Sequence, residues 1–249
     1  MDLYGLIGYP LRHSFSVRYF SEKFKKEKIV DSSYRNFSLE RIEDFTEIIE
    51  KYPDLSGLNV TIPYKEKIIE YLDEVDDTAK KIGAVNTISI KNIDGQKYLK
   101  GYNTDAPGFM KALRTVLNPE IKSALILGTG GASKAIDFAL QQADIKTIFV
   151  SRTPTPVSGE ISYANLNADV IHENLLIVNT SPLGTFPNSE ECPNIPYNLL
   201  SGKHILFDLV YNPERTLFMK KGQERGAKTS NGYMMLVNQA EESWKIWNS

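Results

Sequence analysis

Polar side chains collect at the point where one apolar stretch of the sequence ends. In GLNVTIPYKEKI (57–68), apolar residues alternate with Asn59 and Thr61, which predicts a half-buried strand with both polar groups on one face. Pro63 lacks a backbone donor and ends the strand, and Lys65 follows before a helical pattern begins. An amide, a hydroxyl and an ammonium at one strand exit can hydrogen-bond a polar ligand.

A glycine-rich loop follows another apolar stretch, in ALILGTGGASKA (124–135). Gly128 permits a tight turn, and Gly130 and Gly131 let the backbone approach a pyrophosphate, to which the next helix would present free N–H groups. A lone glycine fingerprint can also be an ordinary strand-to-helix turn. The order of strand, loop and helix favours dinucleotide binding.

The apolar stretch after this loop ends in FVSRT, where a dinucleotide-binding fold usually carries an acidic residue for the adenosine ribose. Arg152 stands there, between Ser151 and Thr153. A cation flanked by hydroxyls suits a 2′-phosphate and leaves an NAD ribose without its carboxylate partner, so the sequence predicts NADP. The alternative is a solvated arginine, since arginine side chains are usually exposed.

Asn86 and Asn103 each precede a threonine a short distance after a glycine, and Asp105 follows the second pair just before a helical pattern. Taken singly, Asp105 or Thr104 is a helix cap and the two asparagines are turn residues. A functional role requires these residues to act together.

Ser14 and Ser16 follow the first predicted strand, at the mouth of the next helical pattern. Hydroxyls in this position either cap the helix or bind an anionic substrate near its N-terminal dipole. The residues themselves leave both roles open.

Strands and helices alternate along the chain around these residues, which indicates an α/β fold with a largely parallel sheet. In the first hundred residues, Asp94 and Gly95 mark a β-hairpin that adds antiparallel strands. From about residue 122 the alternation restarts as a second α/β unit. The helical patterns of the two units run over 16–28, about 40–51, 131–142, 214–225 and 233–247.

Composition narrows the class of protein. The 249 residues carry a net charge of −2 with both signs interspersed, which does not suit nucleic-acid binding. Cys192 is the single cysteine, so no intrachain disulfide forms and a reducing compartment is expected. The three histidines (His13, His172 and His204) lack the spacing of a zinc site. With no signal-peptide pattern and no bilayer-length apolar run, we expect a soluble, cytoplasmic protein that binds small molecules.

Nine ordered motifs of the chain resemble the shikimate dehydrogenase family over essentially the whole length. They are HSFS, GLNVTIPYKE, GAVNTI, GYNTDAPGF, LGTGGASKA, SRT, NTSPLGT, DLVYNPERT and GYMMLVNQA. The resemblance implies reversible oxidation of shikimate to 3-dehydroshikimate with NADP, in the biosynthesis of aromatic amino acids. It also implies a mixed-sheet α/β substrate domain (1–104 and 231–249, including the returning C-terminal helix) and a Rossmann-type NADP domain (105–230). The sequence leaves the oligomeric state open, and a homodimer is one assembly to test.

Carried over to the matching positions, the resemblance makes Lys65 and Asp105 the catalytic pair. The residues that it implies for substrate binding are Ser14, Ser16, Asn59, Thr61, Asn86, Tyr211 and Gln239. Those that it implies for the cofactor are Gly128, Gly130, Gly131, Ala132, Ser151, Arg152, Thr153, Thr180 and Gly232. The chain departs from the family at Val17, where proline is usual, and at Ser151, where asparagine is frequent.

Two roles fit the catalytic pair. Either Lys65 transfers the proton and Asp105 orients it, or Lys65 stabilises the alkoxide and Asp105 takes part in a proton relay. Two rival functions also follow: a quinate/shikimate dehydrogenase that accepts NAD, and a cofactor-binding regulator without catalysis. The absence of an acid beside Arg152 argues against the first, and the presence of both Lys65 and Asp105 argues against the second.

Overall fold

The computed structural model describes residues 2–11, 14–155 and 159–249, so that His13 of the HSFS motif and the middle of the proline-rich connection at 153–160 lie outside the described residues. The chain divides into two compact units. Unit 1 comprises Met1–Thr104 and Gln239–Ser249, and unit 2 comprises Asp105–Asn238.

Unit 1 is built on a six-stranded mixed sheet. Its strands are β1 (Asp2–Gly8), β2 (Ser32–Ser38), β3 (Leu55–Val60), β4 (Glu74–Val75), β5 (Thr87–Ile93) and β6 (Gln96–Tyr102). Their spatial order is β2-β1-β3-β5-β6-β4; β1 pairs in parallel with β2 and β3, and β5 pairs antiparallel with β3 and β6. The predicted hairpin is confirmed: Asp94 and Gly95 both have positive φ, as a tight turn between β5 and β6 requires.

The helices of unit 1 flank this sheet. They are α1 (Phe15–Glu27), α2 (Phe45–Lys51) and α3 (Asp77–Ile82), with 3₁₀ turns at Ile42–Asp44 and Lys67–Tyr71. The helical pattern after Lys65 is therefore a 3₁₀ turn, and the pattern near 40–51 is a 3₁₀ turn followed by α2. Lys28 ends α1 in the left-handed conformation, its N–H bonded to the carbonyls of Phe24 and Lys25.

Unit 2 contains an entirely parallel sheet of six strands. They are β7 (Ser123–Leu127), β8 (Lys146–Ser151), β9 (Ile161–Ser162), β10 (Leu176–Asn179), β11 (Ile205–Asp208) and β12 (Lys228–Ser230). The spatial order β12-β11-β10-β7-β8-β9 is that of a doubly wound dinucleotide-binding sheet, in which the first strand of the unit lies at the centre. Its helices are α4 (Asp105–Leu113), α5 (Gly131–Gln141), α6 (Ala168–Glu173) and α7 (Leu217–Gln223).

The last helix, α8 (Tyr233–Trp247), runs through the second boundary between the units. The sequence predicts the return to the substrate domain at 231, whereas the compact units divide at Gln239, eight residues later. The segment before Gln239 is bonded to unit 2: the N–H of Gly232 bonds the Val210 carbonyl and the Asn238 amide bonds the Gly108 carbonyl.

An aromatic cluster covers one face of the unit 1 sheet. Tyr4 and Tyr34 of the sheet pack with Phe20 and Phe24 of α1 and with Trp244 and Trp247 of α8. Trp247 lies against Gly57, where any side chain would overlap the indole ring, and donates its ring N–H to the Ile88 carbonyl. The prediction that β3 is half-buried is wrong, because this cluster covers the face that carries its polar residue, Asn59; the other face packs in the apolar core.

Candidate active site

The two serines at the mouth of α1 have different environments. Ser14 is the N-cap of α1, its hydroxyl accepting from the N–H of Val17 at 3.3 Å, and is half-buried. Ser16 is buried and hydrogen-bonded to the hydroxyl of Tyr34 on β2. The capping role is therefore present at Ser14, while the Ser16 hydroxyl is held by a side chain from the sheet.

Asn59 is hydrogen-bonded to four neighbouring residues. Its Oδ1 accepts from the Tyr34 hydroxyl at 2.8 Å, and its amide nitrogen faces three acceptors at 2.9–3.2 Å: the Asn86 carbonyl, Thr87 Oγ1 and Ser243 Oγ. Only 3 % of the residue is exposed. A carboxamide has two N–H groups, so both are occupied by the protein and a further ligand could use only a lone pair of Oδ1.

Thr61 and Lys65 lie in the loop that follows β3, and both are half-buried. The loop backbone is bonded at both ends: the N–H of Thr61 donates to the Ile7 carbonyl at 2.8 Å, and the Lys65 carbonyl accepts from the N–H of Val85 at 2.7 Å. These bonds tie the loop to the end of β1 and to the segment before β5. The Lys65 side chain therefore projects from a fixed backbone.

The structure brings Asn86, Thr104 and Gln239 together. Asn86 Oδ1 accepts from the backbone N–H of Thr104 at 2.7 Å, and its amide nitrogen lies 3.0 Å from Thr104 Oγ1 and 3.4 Å from Gln239 Oε1. Asn103 donates to the Ala84 carbonyl at 2.9 Å, which joins the two Asn-Thr segments a second time. The two motifs that the sequence treats as a possible set are thus one cluster in unit 1.

Asp105 follows Thr104 directly and is the first residue of α4. It is buried, with 5 % of the residue exposed. Asp105 is the first residue of unit 2, and Thr104 of the Asn86 cluster is the residue before it in unit 1.

The glycine loop of unit 2 has the geometry that the sequence predicts. Gly128 directly follows β7 with φ of +125°, a conformation that residues with a side chain rarely adopt. A Cβ at Gly128 would also lie 2.7 Å from the hydroxyl of Thr180, which bonds the Leu127 carbonyl and the Ser133 hydroxyl. Gly130 differs, because a Cβ there would meet nothing within 4 Å, so the space beside the N-terminus of α5 is open. Gly131 and Ala132 follow as the first residues of α5.

The residues predicted to bind a 2′-phosphate lie at the carboxyl end of β8 and directly after it. Ser151 is the last residue of the strand, and its hydroxyl accepts from the N–H of Thr153 at 3.2 Å. Arg152 is exposed beside it. Burial raises the pKa of Tyr163 and the positive charge of Arg152 opposes that rise, so the guanidinium lies near this ring.

A buried carboxylate at the end of β11 escaped the sequence prediction. Asp208 accepts from the Asn179 amide at 2.9 Å, from the N–H of Val210 at 3.0 Å and from the Thr216 hydroxyl at 2.6 Å. Burial raises the pKa of Asp208 to about 6, against the effect of the three hydrogen bonds. Since Thr216 caps α7 and Asn179 precedes Thr180, the carboxylate ties the ends of two strands to a helix.

Tyr211 and Gly232 complete the residues implied for unit 2. Tyr211 is half-buried, three residues beyond the end of β11. Gly232 packs on backbone, because a Cβ at this position would overlap the Leu209 carbonyl. Its missing side chain is thus required by packing within unit 2.

Sequence reasoning also missed Tyr34, Thr87 and Ser243, which surround Asn59. One signal for Ser243 was present: it lies four residues after Gln239 on α8 and therefore shares its face of the helix. Among residues 2–11, 14–155 and 159–249, no cluster of three or more histidine, cysteine, aspartate or glutamate side chains could hold a metal ion. No helix in those ranges has the length and apolarity that crossing a bilayer requires.

Comparison with known proteins identifies the family. A sequence model described as the shikimate dehydrogenase substrate binding domain matches residues 6–88. The chain is 40 % identical over 259 residues to a Clostridium perfringens protein named shikimate dehydrogenase (NADP(+)), covering 100 % of this chain and 93 % of the relative.

Solved structures agree. The crystal structure of shikimate dehydrogenase from Aquifex aeolicus superimposes with a TM-score of 0.87 at 35 % identity, covering 100 % of this chain and 92 % of that one. That of shikimate 5-dehydrogenase from Thermus thermophilus, in complex with NADP(H) and shikimate, has a TM-score of 0.86 at 29 % identity, covering 99 % and 93 %. The resemblance predicted from the nine motifs is confirmed, and this chain belongs to the shikimate dehydrogenase family.

Proposed function

We propose that this chain catalyses the reversible, NADP-dependent oxidation of shikimate to 3-dehydroshikimate, a step in the biosynthesis of aromatic amino acids. The observation that carries the proposal is the full-length match to enzymes named shikimate dehydrogenase (NADP(+)), in a chain that keeps both Lys65 and Asp105. A binding protein without catalysis would have no need of both groups.

The residues of unit 2 fit NADP. Gly128 turns the chain at the end of the central strand β7, and the open space at Gly130 lets a pyrophosphate approach the N–H groups at the start of α5. Arg152 offers an exposed guanidinium to a 2′-phosphate, flanked by the hydroxyls of Ser151 and Thr153. Thr180 and Gly232 are proposed to lie beside the nicotinamide. Bound there, NADP would supply the hydride acceptor for the oxidation of the substrate.

The chain's own groups must bind the substrate and accept its proton. We assign substrate binding to the hydroxyls of Ser14, Ser16, Thr61 and Tyr211 and to the carboxamides of Asn59, Asn86 and Gln239. These groups suit a molecule with one carboxylate and several hydroxyls, since hydroxyls and carboxamides can both donate and accept hydrogen bonds.

Lys65 and Asp105 are assigned to the alcohol that is oxidised, because it must lose its proton as the hydride leaves. Two assignments satisfy this requirement: Lys65 accepts the proton while Asp105 orients it, or Lys65 stabilises the alkoxide while Asp105 relays the proton. The held backbone on both sides of Lys65 supports either role, because it restricts where the ammonium can reach.

A cytoplasmic location and a homodimer are proposed with this function. The single cysteine supports a reducing compartment, since the chain needs no disulfide. Light scattering during size-exclusion chromatography tests the assembly, and a mass near the 28.1 kDa of one chain would contradict the dimer.

Initial-rate measurements test the proposed activity. The purified protein is assayed with shikimate and with quinate, each with NADP and with NAD, by following the absorbance of the reduced cofactor. We expect a much larger kcat/KM for shikimate with NADP than for any other combination. Comparable rates with quinate and NAD would indicate a broader quinate/shikimate dehydrogenase, and no turnover with any combination would indicate a cofactor-binding protein.

A further inference from the structure

A buried set of hydroxyl and amide groups in unit 1 connects residues that the proposed function assigns to the substrate. Ser16 hydrogen-bonds Tyr34, Tyr34 donates to Asn59, and Asn59 donates to Ser243 at 2.9 Å. Ser243 continues the network to Thr87 at 2.8 Å and to Thr104 at 3.2 Å, and both threonines contact the Asn86 carboxamide. The members are all at least nine-tenths buried.

Ser243 is the hub of this network. Its hydroxyl oxygen has four partners within 3.2 Å, namely Asn59 Nδ2, Thr87 Oγ1, Thr104 Oγ1 and the Gln239 carbonyl. These partners come from β3, β5, the segment after β6 and α8. The one hydroxyl therefore links α8, four residues beyond Gln239, to the segments that carry Asn59 and Asn86.

Tyr34 lies at the other end of the network, between Ser16 and Asn59. Its phenol is buried between the sheet and α1, where it stacks on Phe20 and bonds both Ser16 and Asn59. Burial is the main cause of a strongly raised pKa for Tyr34, so the phenol stays protonated and remains a donor. A buried and fully bonded polar network holds its members in one arrangement, because any other arrangement leaves an unpaired group in a low-dielectric interior.

We propose that Tyr34 and Ser243 are positioning residues, which act through Ser16 and through Asn86 to hold the substrate-binding groups of unit 1 in register. The inference rests on the proposed function for the identity of the substrate. Tyr34 orients the Ser16 hydroxyl, and Ser243 orients the Asn86 carboxamide by way of Thr87 and Thr104. Thr104 directly precedes Asp105, so the bond from Ser243 to Thr104 also restrains the backbone next to this carboxylate.

Removal of one hydroxyl at a time tests the proposal by kinetics. Tyr34→Phe removes the phenol's hydrogen bonds to Ser16 and to Asn59. The Ser16 hydroxyl then loses one neutral hydrogen bond, so KM for shikimate should rise by about two- to tenfold while kcat stays within about twofold. Ser243→Ala should lower kcat as well as raise KM, because Ser243 bonds Thr104, the residue before Asp105. Tyr197→Phe is the matched control: it removes a phenol bond to the Pro193 carbonyl in unit 2, so it should cost stability without changing KM for shikimate.

Double-mutant cycles separate positioning from general destabilisation. If Tyr34 acts through Ser16, the effect of Tyr34→Phe on KM should largely vanish in a Ser16→Ala background, and likewise for Ser243→Ala in an Asn86→Ala background. Effects that simply add, or an unchanged KM in both single variants that fold, would overturn the proposal.

A measurement that needs no turnover keeps the two proposals distinguishable. The side-chain amide protons of Asn59 and Asn86 should exchange slowly with solvent in the wild type and faster in Ser243→Ala, as followed by nuclear magnetic resonance. If the wild type fails to oxidise shikimate, the proposed function is lost, and this exchange still decides the positioning role. Unchanged exchange in the variant would overturn it.

Discussion

Unit 1 and unit 2 hold their candidate site residues by different means. In unit 1, Asn59 and Asn86 are fixed by other side chains, through a buried network in which each group has several partners. In unit 2, the glycine loop depends on the backbone conformation at Gly128, Gly130 leaves open space beside α5, and Gly232 packs directly on the Leu209 backbone. A site for a hydroxylated molecule needs directed side-chain donors, whereas a phosphate can be held by backbone N–H groups and one cation.

The difference has a consequence for mutation. Changes to the site residues of unit 1 should alter catalysis and substrate affinity. In unit 2, changes at the end of β8 should alter cofactor affinity, and a change at the buried carboxylate of β11 should alter stability. Asp105, at the start of unit 2, is the exception, because it is assigned to catalysis. Four substitutions test this division, beginning with the one that should reduce activity most.

Lys65→Ala should have the largest effect. We expect kcat to fall by about 10²–10⁴-fold with little change in substrate affinity, because the ammonium matters chiefly where charge develops in the transition state. Lys67→Ala is the matched control: this exposed lysine starts the next 3₁₀ turn, and its loss should leave kcat unchanged. A near wild-type kcat in Lys65→Ala would remove Lys65 from catalysis.

Asp105→Asn tests the carboxylate at the start of unit 2. The amide keeps the shape of the side chain and loses its charge, so we expect a severe loss of kcat in a folded protein. Asparagine caps helices about as well as aspartate, so a purely structural role for Asp105 would leave activity intact. Thermal melting of the variant and its initial rates together decide between these roles.

Asp208→Asn should change the pH dependence of stability. A carboxyl with a pKa of about 6 in the folded chain and about 3.9 when unfolded is more protonated in the native state between those values. The free energy of unfolding of the wild type should therefore fall as pH rises from about 4 to about 7, by about 3 kcal/mol in total from this group.

Urea denaturation of the wild type and of Asp208→Asn across this pH range measures the effect. The variant cannot ionise at this position and should lack that fall. Asp144→Asn serves as control, since Asp144 is exposed in the same unit in a left-handed conformation that asparagine also accepts. A difference between wild type and Asp208→Asn that is constant over this range would contradict the prediction.

Arg152→Ala should weaken the binding of NADP and leave the binding of NAD unchanged. A guanidinium gains bidentate, charge-assisted bonds from a 2′-phosphate and little from a neutral ribose hydroxyl, so KM for NADP should rise by about ten- to a hundredfold. The effect should shrink at high salt because Arg152 is exposed. Lys146→Ala is the control: it removes an exposed cation from the opposite end of β8 and should change KM for neither NADP nor NAD. Equal losses for NADP and NAD would remove the main sequence argument for NADP.

In both units, elements whose determinants lie close together in the sequence were predicted correctly. The strand, glycine loop and helix at 124–135 have the expected form because their determinants are local: apolar residues for the buried strand, then glycine at a positive φ. The bounds of α8 (233–247) and the hairpin at Asp94 and Gly95 were also predicted correctly, because they too depend on local sequence. The role of Asp208 was not predicted because its side-chain partners, Asn179 and Thr216, lie 29 residues before it and 8 after it. Nothing adjacent distinguishes it from an ordinary strand end.

Several features could be predicted because they depend on residues close together in the chain: the family motifs, the alternation of strands and helices, the glycine turn and the basic end of β8. Three others are visible only in the folded chain: both faces of β3 are covered, Asn59 is bonded to Tyr34 and Ser243, and Asn86 meets Thr104 and Gln239. Among these contacts, Tyr34 lies 25 positions from Asn59, and Asn59 lies 184 positions from Ser243. No spacing rule reaches that far, because the register of the sheet and the packing of α8 determine which polar groups meet.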